Sequence, residues 1–74
     1  MIVTIQQDFY NFKLYIDGLI HLCIKQKEIV GFQSWRDSDH SYSIEFTTNT
    51  NSIVLEYSDE KKWITVLTEL DKHF

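Results

Sequence analysis

The amino-acid sequence predicts an α+β fold, in which an antiparallel β-meander of about five strands carries one C-terminal amphipathic helix packed on one face. Three observations predict it. Apolar and polar residues alternate along several short stretches, as in half-buried strands. β-Branched and aromatic residues are abundant, whereas alanine, the strongest helix former, is missing. Near Ser58 the apolar spacing changes from that of a strand to that of a helix.

The first predicted hairpin joins a strand over residues 10–17 to a strand over residues 19–25. Asp17 and Gly18 form its turn, because both residues tolerate positive φ. A two-residue loop would pair Ile16 with Leu19, whereas an odd-numbered loop with Gly18 in a bulge would shift the pairing by one residue. We favour the odd loop because it places the aliphatic residues of both strands on one face. That face consists of Tyr10, Phe12, Leu14, Ile16, Ile20, Leu22 and Ile24.

Three further strands are predicted over residues 29–36, 42–48 and 52–57, with a polar loop over residues 36–41. The pattern is clearest in the fourth strand, where Tyr42, Ile44 and Phe46 alternate with polar residues. The residues expected beneath the helix are Phe12, Leu14, Ile20, Leu22, Ile44, Phe46, Ile53 and Leu55.

A helix is predicted from about Asp59 to His73. Ser58 is expected to be its N-cap, and Asp59 and Glu60 suit the positive end of the helix dipole. One apolar stripe at helical spacing is expected to face the core, and it consists of Trp63, Val66, Leu67, Leu70 and Phe74. Ile64 lies about 100° from Trp63 around the helix, at the sheet margin or facing a partner.

The 74 residues are expected to form a single small α+β domain over residues 1–74, with 43% hydrophobic and 24% charged residues. A core of this size gives marginal stability without a disulfide, a metal or a partner chain. Cys23 is the only cysteine, so an internal disulfide is excluded and a partner is favoured. No signal peptide or membrane span is recognisable, which predicts a cytoplasmic protein.

The net charge of −4 is unevenly distributed. Residues 1–36 hold four Lys/Arg and three Asp/Glu, a formal charge of +1. Residues 37–74 hold three Lys/Arg and eight Asp/Glu, a formal charge of −5. An acidic C-terminal half argues against binding of a nucleic-acid duplex, because such binding requires a basic surface.

Candidates for catalysis or metal binding are few. They are the pair His21 and Cys23, the loop residues Asp37, Asp39 and His40, and the carboxylates Glu45 and Glu56 on facing strands. Two side chains do not complete a zinc site, which usually has three or four ligands, and no phosphate loop or nucleophile elbow accompanies them. We therefore expect no enzyme activity, no cofactor and no metal.

The sequence is more informative about surfaces that a single helix would leave uncovered. Candidate interface residues are Tyr15, Leu19, Cys23, Trp35, Val54 and Ile64. Exposed aromatic and aliphatic residues on a small domain are typical of protein interfaces. The predicted function is that of a small non-enzymatic protein-interaction module acting as a homo-oligomer, a dimer or higher, of the inhibitor, immunity or mobile-element accessory type. A different protein could also be the partner.

An alternative function is binding of single-stranded nucleic acid or a planar small ligand through exposed aromatic residues. The slightly basic N-terminal half supports it with Lys13, Lys25, Lys27 and Arg36. Trp35 would then report binding by a salt-dependent change in fluorescence.

Overall fold

A computed structural model describes residues 1–38 and 40–74 of the chain. The predicted α+β class is confirmed: antiparallel strands are followed by one C-terminal α-helix. In chain order the elements are β1 (Val3–Gln7), β2 (Asn11–Ile16), β3 (Leu19–Lys25), a 3-10 helix (Gln26–Glu28), β4 (Ile29–Ser38), β5 (Ser41–Thr48), β6 (Ser52–Tyr57) and α1 (Glu60–Asp71).

The strands form two antiparallel sheets rather than one. Sheet A has the order β1-β2-β3 and sheet B the order β4-β5-β6, so each sheet is a meander. The 3-10 helix separates them in the chain. β1 is an addition to the predicted strands, and it pairs along its whole length with β2. The described residues thus contain six strands where about five were predicted.

The core lies where the inner faces of the two sheets meet α1. Its buried apolar residues are Val3, Phe12, Leu14, Ile16, Leu22, Ile24, Tyr42, Ile44, Phe46, Tyr57, Val66 and Leu70. The rings of Phe12 and Phe46, with centroids 6.0 Å apart, join sheet A to sheet B. The ring of the partly exposed Phe74 contacts both sheets, with centroids 5.4 Å from Phe12 and 5.3 Å from Phe32.

The helix covers the core with four of the five residues of the predicted stripe, Trp63, Val66, Leu67 and Leu70. The fifth, Phe74, lies beyond α1 and is 49% exposed, so its prediction as a core residue is wrong. Val66 and Leu70 are fully buried, and α1 contacts β1, β5 and β6. Trp63 donates its indole N–H to the backbone oxygen of Ser43 over 3.1 Å. The N-cap is Asp59, not Ser58 as predicted: the Asp59 carboxylate accepts the backbone N–H of Lys61 over 2.9 Å. No described helix is long and apolar enough to cross a membrane.

The β2–β3 hairpin differs from the prediction in its turn. Asp17 and Gly18 have φ of 51° and 82°, and Ile16 pairs with Leu19, so the loop has two residues and the predicted odd loop is wrong. A bulge further along β3 restores the apolar pairing. Tyr15 pairs with Ile20 and Leu14 with Leu22, which leaves His21 as the extra residue.

The β1–β2 turn also corrects a prediction. Strand β2 begins at Asn11, and Tyr10 lies in the turn with 72% of its surface exposed, not on the core side. One carboxylate oxygen of Asp8 accepts the backbone N–H groups of Tyr10 and Asn11 over 2.7 and 2.6 Å. This Asx-type capping favours a turn over continued strand pairing.

Candidate functional site

The outer face of sheet A is the side turned away from the core. Residues that pair directly across an antiparallel sheet point to the same face. Two rows of directly paired residues lie on the outer face, Thr4 with Tyr15 and Ile20, and Gln6 with Lys13 and Cys23. The first row lies near the Asp17 turn. The second lies nearer the opposite end of the sheet.

The bulge at His21 decides which side Ile20 occupies. Leu22 and Ile24 point inward and are buried, whereas Ile20, before the bulge, is 53% exposed beside the half-buried Tyr15. The prediction that Ile20 lies beneath the helix is therefore wrong, because the bulge reverses the alternation between Ile20 and Leu22.

Ile2 lies at the same end of the sheet. Its backbone N–H donates to the Asp17 carboxylate over 2.8 Å, and its carbonyl accepts the Asp17 N–H over 2.8 Å. The Ile2 side chain nevertheless remains 71% exposed. We call Ile2, Tyr15 and Ile20 the Ile20 patch. Ile2 and Ile20 are exposed and Tyr15 is half-buried, and all three lie on paired backbone near a tight turn.

The outer face of sheet B is more polar. Asp37 accepts hydrogen bonds from the Ser43 hydroxyl over 2.6 Å and from the Trp35 indole N–H over 2.5 Å. Ser43 pairs directly with Trp35 on the outer face. It is nevertheless buried, with only 1% of its surface exposed. These bonds, that from Ser43 first, lower the pKa of the Asp37 carboxyl, with a smaller contribution from Ser41.

The lowered pKa of Asp37 predicts a pH effect on stability. A carboxyl whose pKa is lower in the folded than in the unfolded protein stabilises the fold at pH values above its unfolded-state pKa, near 3.8. This stabilisation is lost as the pH falls through the pKa of the folded state. We expect the melting temperature of Asp37→Ala to fall less steeply than that of the wild type as pH drops below about 4. Thermal melts followed by circular dichroism would measure it. Parallel curves would contradict the assignment.

No family model, curated protein or solved structure matches this chain. Function is therefore inferred from the chain's own surfaces.

The structure distributes the predicted interface residues over separate surfaces. Tyr15 and Cys23 share the outer face of sheet A, and Trp35 and Val54 that of sheet B. Leu19 pairs with Ile16, which assigns it to the inner side, but it lies at the end of the sheet and is exposed. Ile64 is 47% exposed on the outside of α1. That these residues bind a partner stays a prediction.

The candidates for chemistry are not brought together into a recognisable centre. His21 and Cys23 are both exposed, and the bulge falls at His21. Asp39 lies outside the described residues, so the loop site that included it with Asp37 and His40 is not tested. Over residues 1–38 and 40–74, no three His, Cys, Asp or Glu side chains are grouped so that they could hold a metal ion.

The two carboxylates on facing strands are not direct partners. Glu45 pairs with Val54, and Glu56 pairs with Ser43, so the glutamates are diagonal neighbours. Glu45 instead accepts a hydrogen bond from the Gln33 side chain on β4.

Sequence reasoning missed two groups of exposed residues. Ile20 and Ile2 were not identified as surface residues, since nothing in the local alternation marks the bulge at His21. Phe9 and Tyr10 were missed because Tyr10 continues the apolar alternation of β2. In the sequence, Asp8 was the residue that indicated a turn, because aspartate is common in turns. In the structure its side chain caps the β1–β2 turn.

Proposed function

We propose that this chain is a small protein-interaction module that forms a homodimer through the Ile20 patch. The observation that carries the proposal is the bulge in β3, which turns Ile20 outward beside Tyr15 instead of into the core. β-Bulges commonly redirect a side chain where a surface has a purpose. A second copy of the chain is the simplest occupant, because a two-fold dimer brings the same patch from both chains together.

The small size of the core supports a partner chain. A chain of 74 residues buries a limited fraction of its surface, and the described part contains no disulfide to compensate. Covering Ile2 and Ile20 in a dimer would remove apolar area from water, which stabilises the folded chain as well as the complex.

The Ile20 patch is a better dimer surface than the outer face of sheet B. There, Trp35 has its indole N–H bonded to Asp37, and the neighbouring pairs include Glu45 and Glu56. Two copies of that acidic face would repel each other. Charged residues are depleted in the centre of interfaces, and the residues of the Ile20 patch carry no charge.

The matched substitutions Ile20→Lys and Ile64→Lys test this proposal. Both remove an exposed isoleucine, of 53% and 47% exposure, and add the same charge. We expect Ile20→Lys to weaken the dimer by at least about 2 kcal/mol, roughly thirtyfold in Kd, and Ile64→Lys to leave it intact. Size-exclusion chromatography with light scattering over a range of concentrations measures the dimer Kd of each variant.

Two results would count against the proposal. A wild-type chain that stays monomeric up to high micromolar concentration would remove the homodimer altogether. Equal loss of the dimer in both variants would show that the added charge, rather than the position, is responsible. Cooperative melts of both variants establish that each is folded.

A further inference from the structure

A second exposed feature lies at the opposite end of sheet A from the Ile20 patch. The β1–β2 turn presents Phe9 and Tyr10, which are 87% and 72% exposed, with their ring centroids 5.2 Å apart and their planes nearly perpendicular. Both rings bury only a small part of their area in the fold, so their contribution to core stability is small. Adjacent exposed aromatic rings are typical of binding surfaces.

The turn that carries the rings is held in place by hydrogen bonds. Asp8 accepts the backbone N–H groups of Tyr10 and Asn11, and the Asp8 N–H donates back to the Asn11 carbonyl over 3.0 Å. The Tyr10 carbonyl accepts the backbone N–H of Gln26 over 2.9 Å, which fixes the turn to the 3-10 helix. A ligand would meet a turn whose backbone is already ordered, so less backbone conformational entropy would be lost on binding.

A cavity of about 590 Å³ lies between this turn and the start of the 3-10 helix. Its lining residues are Phe9, Tyr10, Asn11, Lys25, Gln26 and Lys27. The volume falls within the range of small-ligand pockets, roughly 300–1,000 Å³. The lining is mostly apolar, with aromatic rings and the aliphatic parts of longer side chains, and it contains no carboxylate. Lys25 and Lys27 are exposed residues at this site.

The two lysines at the cavity favour an anionic occupant. Lys25 and Lys27 belong to the N-terminal half of the chain, whose formal charge is +1, and not to the acidic half. Asp8 is the nearest acid along the chain to the rings, and its carboxylate is engaged with the backbone of the turn. Aromatic rings bind planar groups by stacking, and lysines attract phosphate.

We propose that this cavity binds single-stranded nucleic acid, with a base stacked on Phe9 or Tyr10 and the adjoining phosphates attracted by Lys25 and Lys27. An unpaired base offers a planar face, whereas a base within a duplex is already stacked on its neighbours. An anionic membrane also attracts aromatic and basic residues, but it suits a convex projection and not a cavity. The proposal does not depend on the dimer, because the two surfaces lie at opposite ends of sheet A.

Fluorescence anisotropy with a labelled oligothymidine of about ten nucleotides tests the site on the full chain. We expect saturable binding at about 50 mM salt that weakens roughly sevenfold at about 200 mM, as for two phosphate contacts. Phe9→Ala should weaken binding at least about fivefold. Phe9→Leu should do the same, because leucine retains apolar surface but has no ring to stack.

The lysines have a matched control. The double variant Lys25→Ala/Lys27→Ala should weaken binding and remove most of the salt dependence. The double variant Lys61→Ala/Lys62→Ala on α1 changes the net charge equally and should bind as the wild type does. Comparable losses in both double variants would overturn the site, since general charge would then explain binding.

Four further results would overturn the proposal, and one would support it. No saturable binding up to about 100 μM protein at low salt would overturn it. So would equal affinity for a duplex of the same length, unchanged binding by Phe9→Ala, or association with phosphatidylserine vesicles in the absence of oligonucleotide binding. Binding of the oligonucleotide by Ile20→Lys with wild-type affinity would support the independence of the two surfaces.

Discussion

Deletion of residues 67–74 is expected to abolish cooperative unfolding of the protein. The deletion removes Leu70, which is fully buried, and Phe74, whose ring packs on Phe12 and Phe32. Loss of a single buried leucine side chain lowers the free energy of unfolding by about 2–5 kcal/mol. The total free energy of unfolding of a folded domain is about 5–15 kcal/mol. The shortened helix would also be too short to persist without packing. Circular dichroism and calorimetry of the deletion variant measure the effect.

Single substitutions on the two sides of α1 should have unequal effects on stability. Leu70→Ala should lower the free energy of unfolding by about 2–5 kcal/mol, whereas Ile64→Ala, on the exposed side of the same helix, should change it by less than about 1 kcal/mol. A deletion variant that still melts cooperatively near the wild-type temperature would show that α1 is not part of the core. Equal effects of Leu70→Ala and Ile64→Ala would have the same meaning.

The second large effect is expected for Phe46→Ala. Phe46 is fully buried in β5, the central strand of sheet B, and its ring lies 6.0 Å from that of Phe12 and 6.2 Å from that of Phe32. Truncating a buried phenylalanine costs about 3–5 kcal/mol, because transfer energy and packing are lost and a cavity is left. The variant should unfold at a markedly lower urea concentration than the wild type, as urea denaturation would show.

Phe9→Ala is the matched control for Phe46→Ala. It removes the same atoms, but from a side chain that is 87% exposed, so the free energy of unfolding should change by less than about 0.5 kcal/mol. A stability loss in Phe9→Ala similar to that in Phe46→Ala would place Phe9 in the core and remove the binding site proposed for it. Intact stability combined with lost oligonucleotide binding would separate folding from function at that residue.

Much of the fold could be predicted because it depends on local periodicity. The stripe from Trp63 to Leu70 has helical spacing, and the structure buries or half-buries it. The alternation of Tyr42, Ile44 and Phe46 likewise placed three core residues on one face of β5. Such patterns follow from the geometry of a single element, so neighbouring strands are not needed to read them.

The register of the β2–β3 hairpin could not be predicted in the same way. The Asp17 turn has two residues, and the apolar faces of the strands match only because a bulge follows at His21. Sequence alternation shows that one residue must be absorbed somewhere. It does not show whether the turn or the strand absorbs it, because that choice depends on pairing across the whole hairpin.

The candidate sites were even less accessible from the sequence. Ile20 became a surface residue through the bulge, and Tyr10 did so through capping of its backbone N–H by Asp8. The cavity joins residues 9–11 to residues 25–27, which are brought together by the β2–β3 hairpin and the Gln26 hydrogen bond. Such a site exists only after distant segments have paired.

By itself, the sequence determined the α+β class, the C-terminal helix with its buried side and most of the core faces, since each depends on spacing within one element. The tertiary structure decided the division into two sheets, the outward position of Ile20 and the cavity that Phe9 lines together with Lys25 and Lys27. The physical reason is that register, bulges and sheet boundaries depend on the free energy of all the paired strands. They therefore cannot be read from the sequence of one strand.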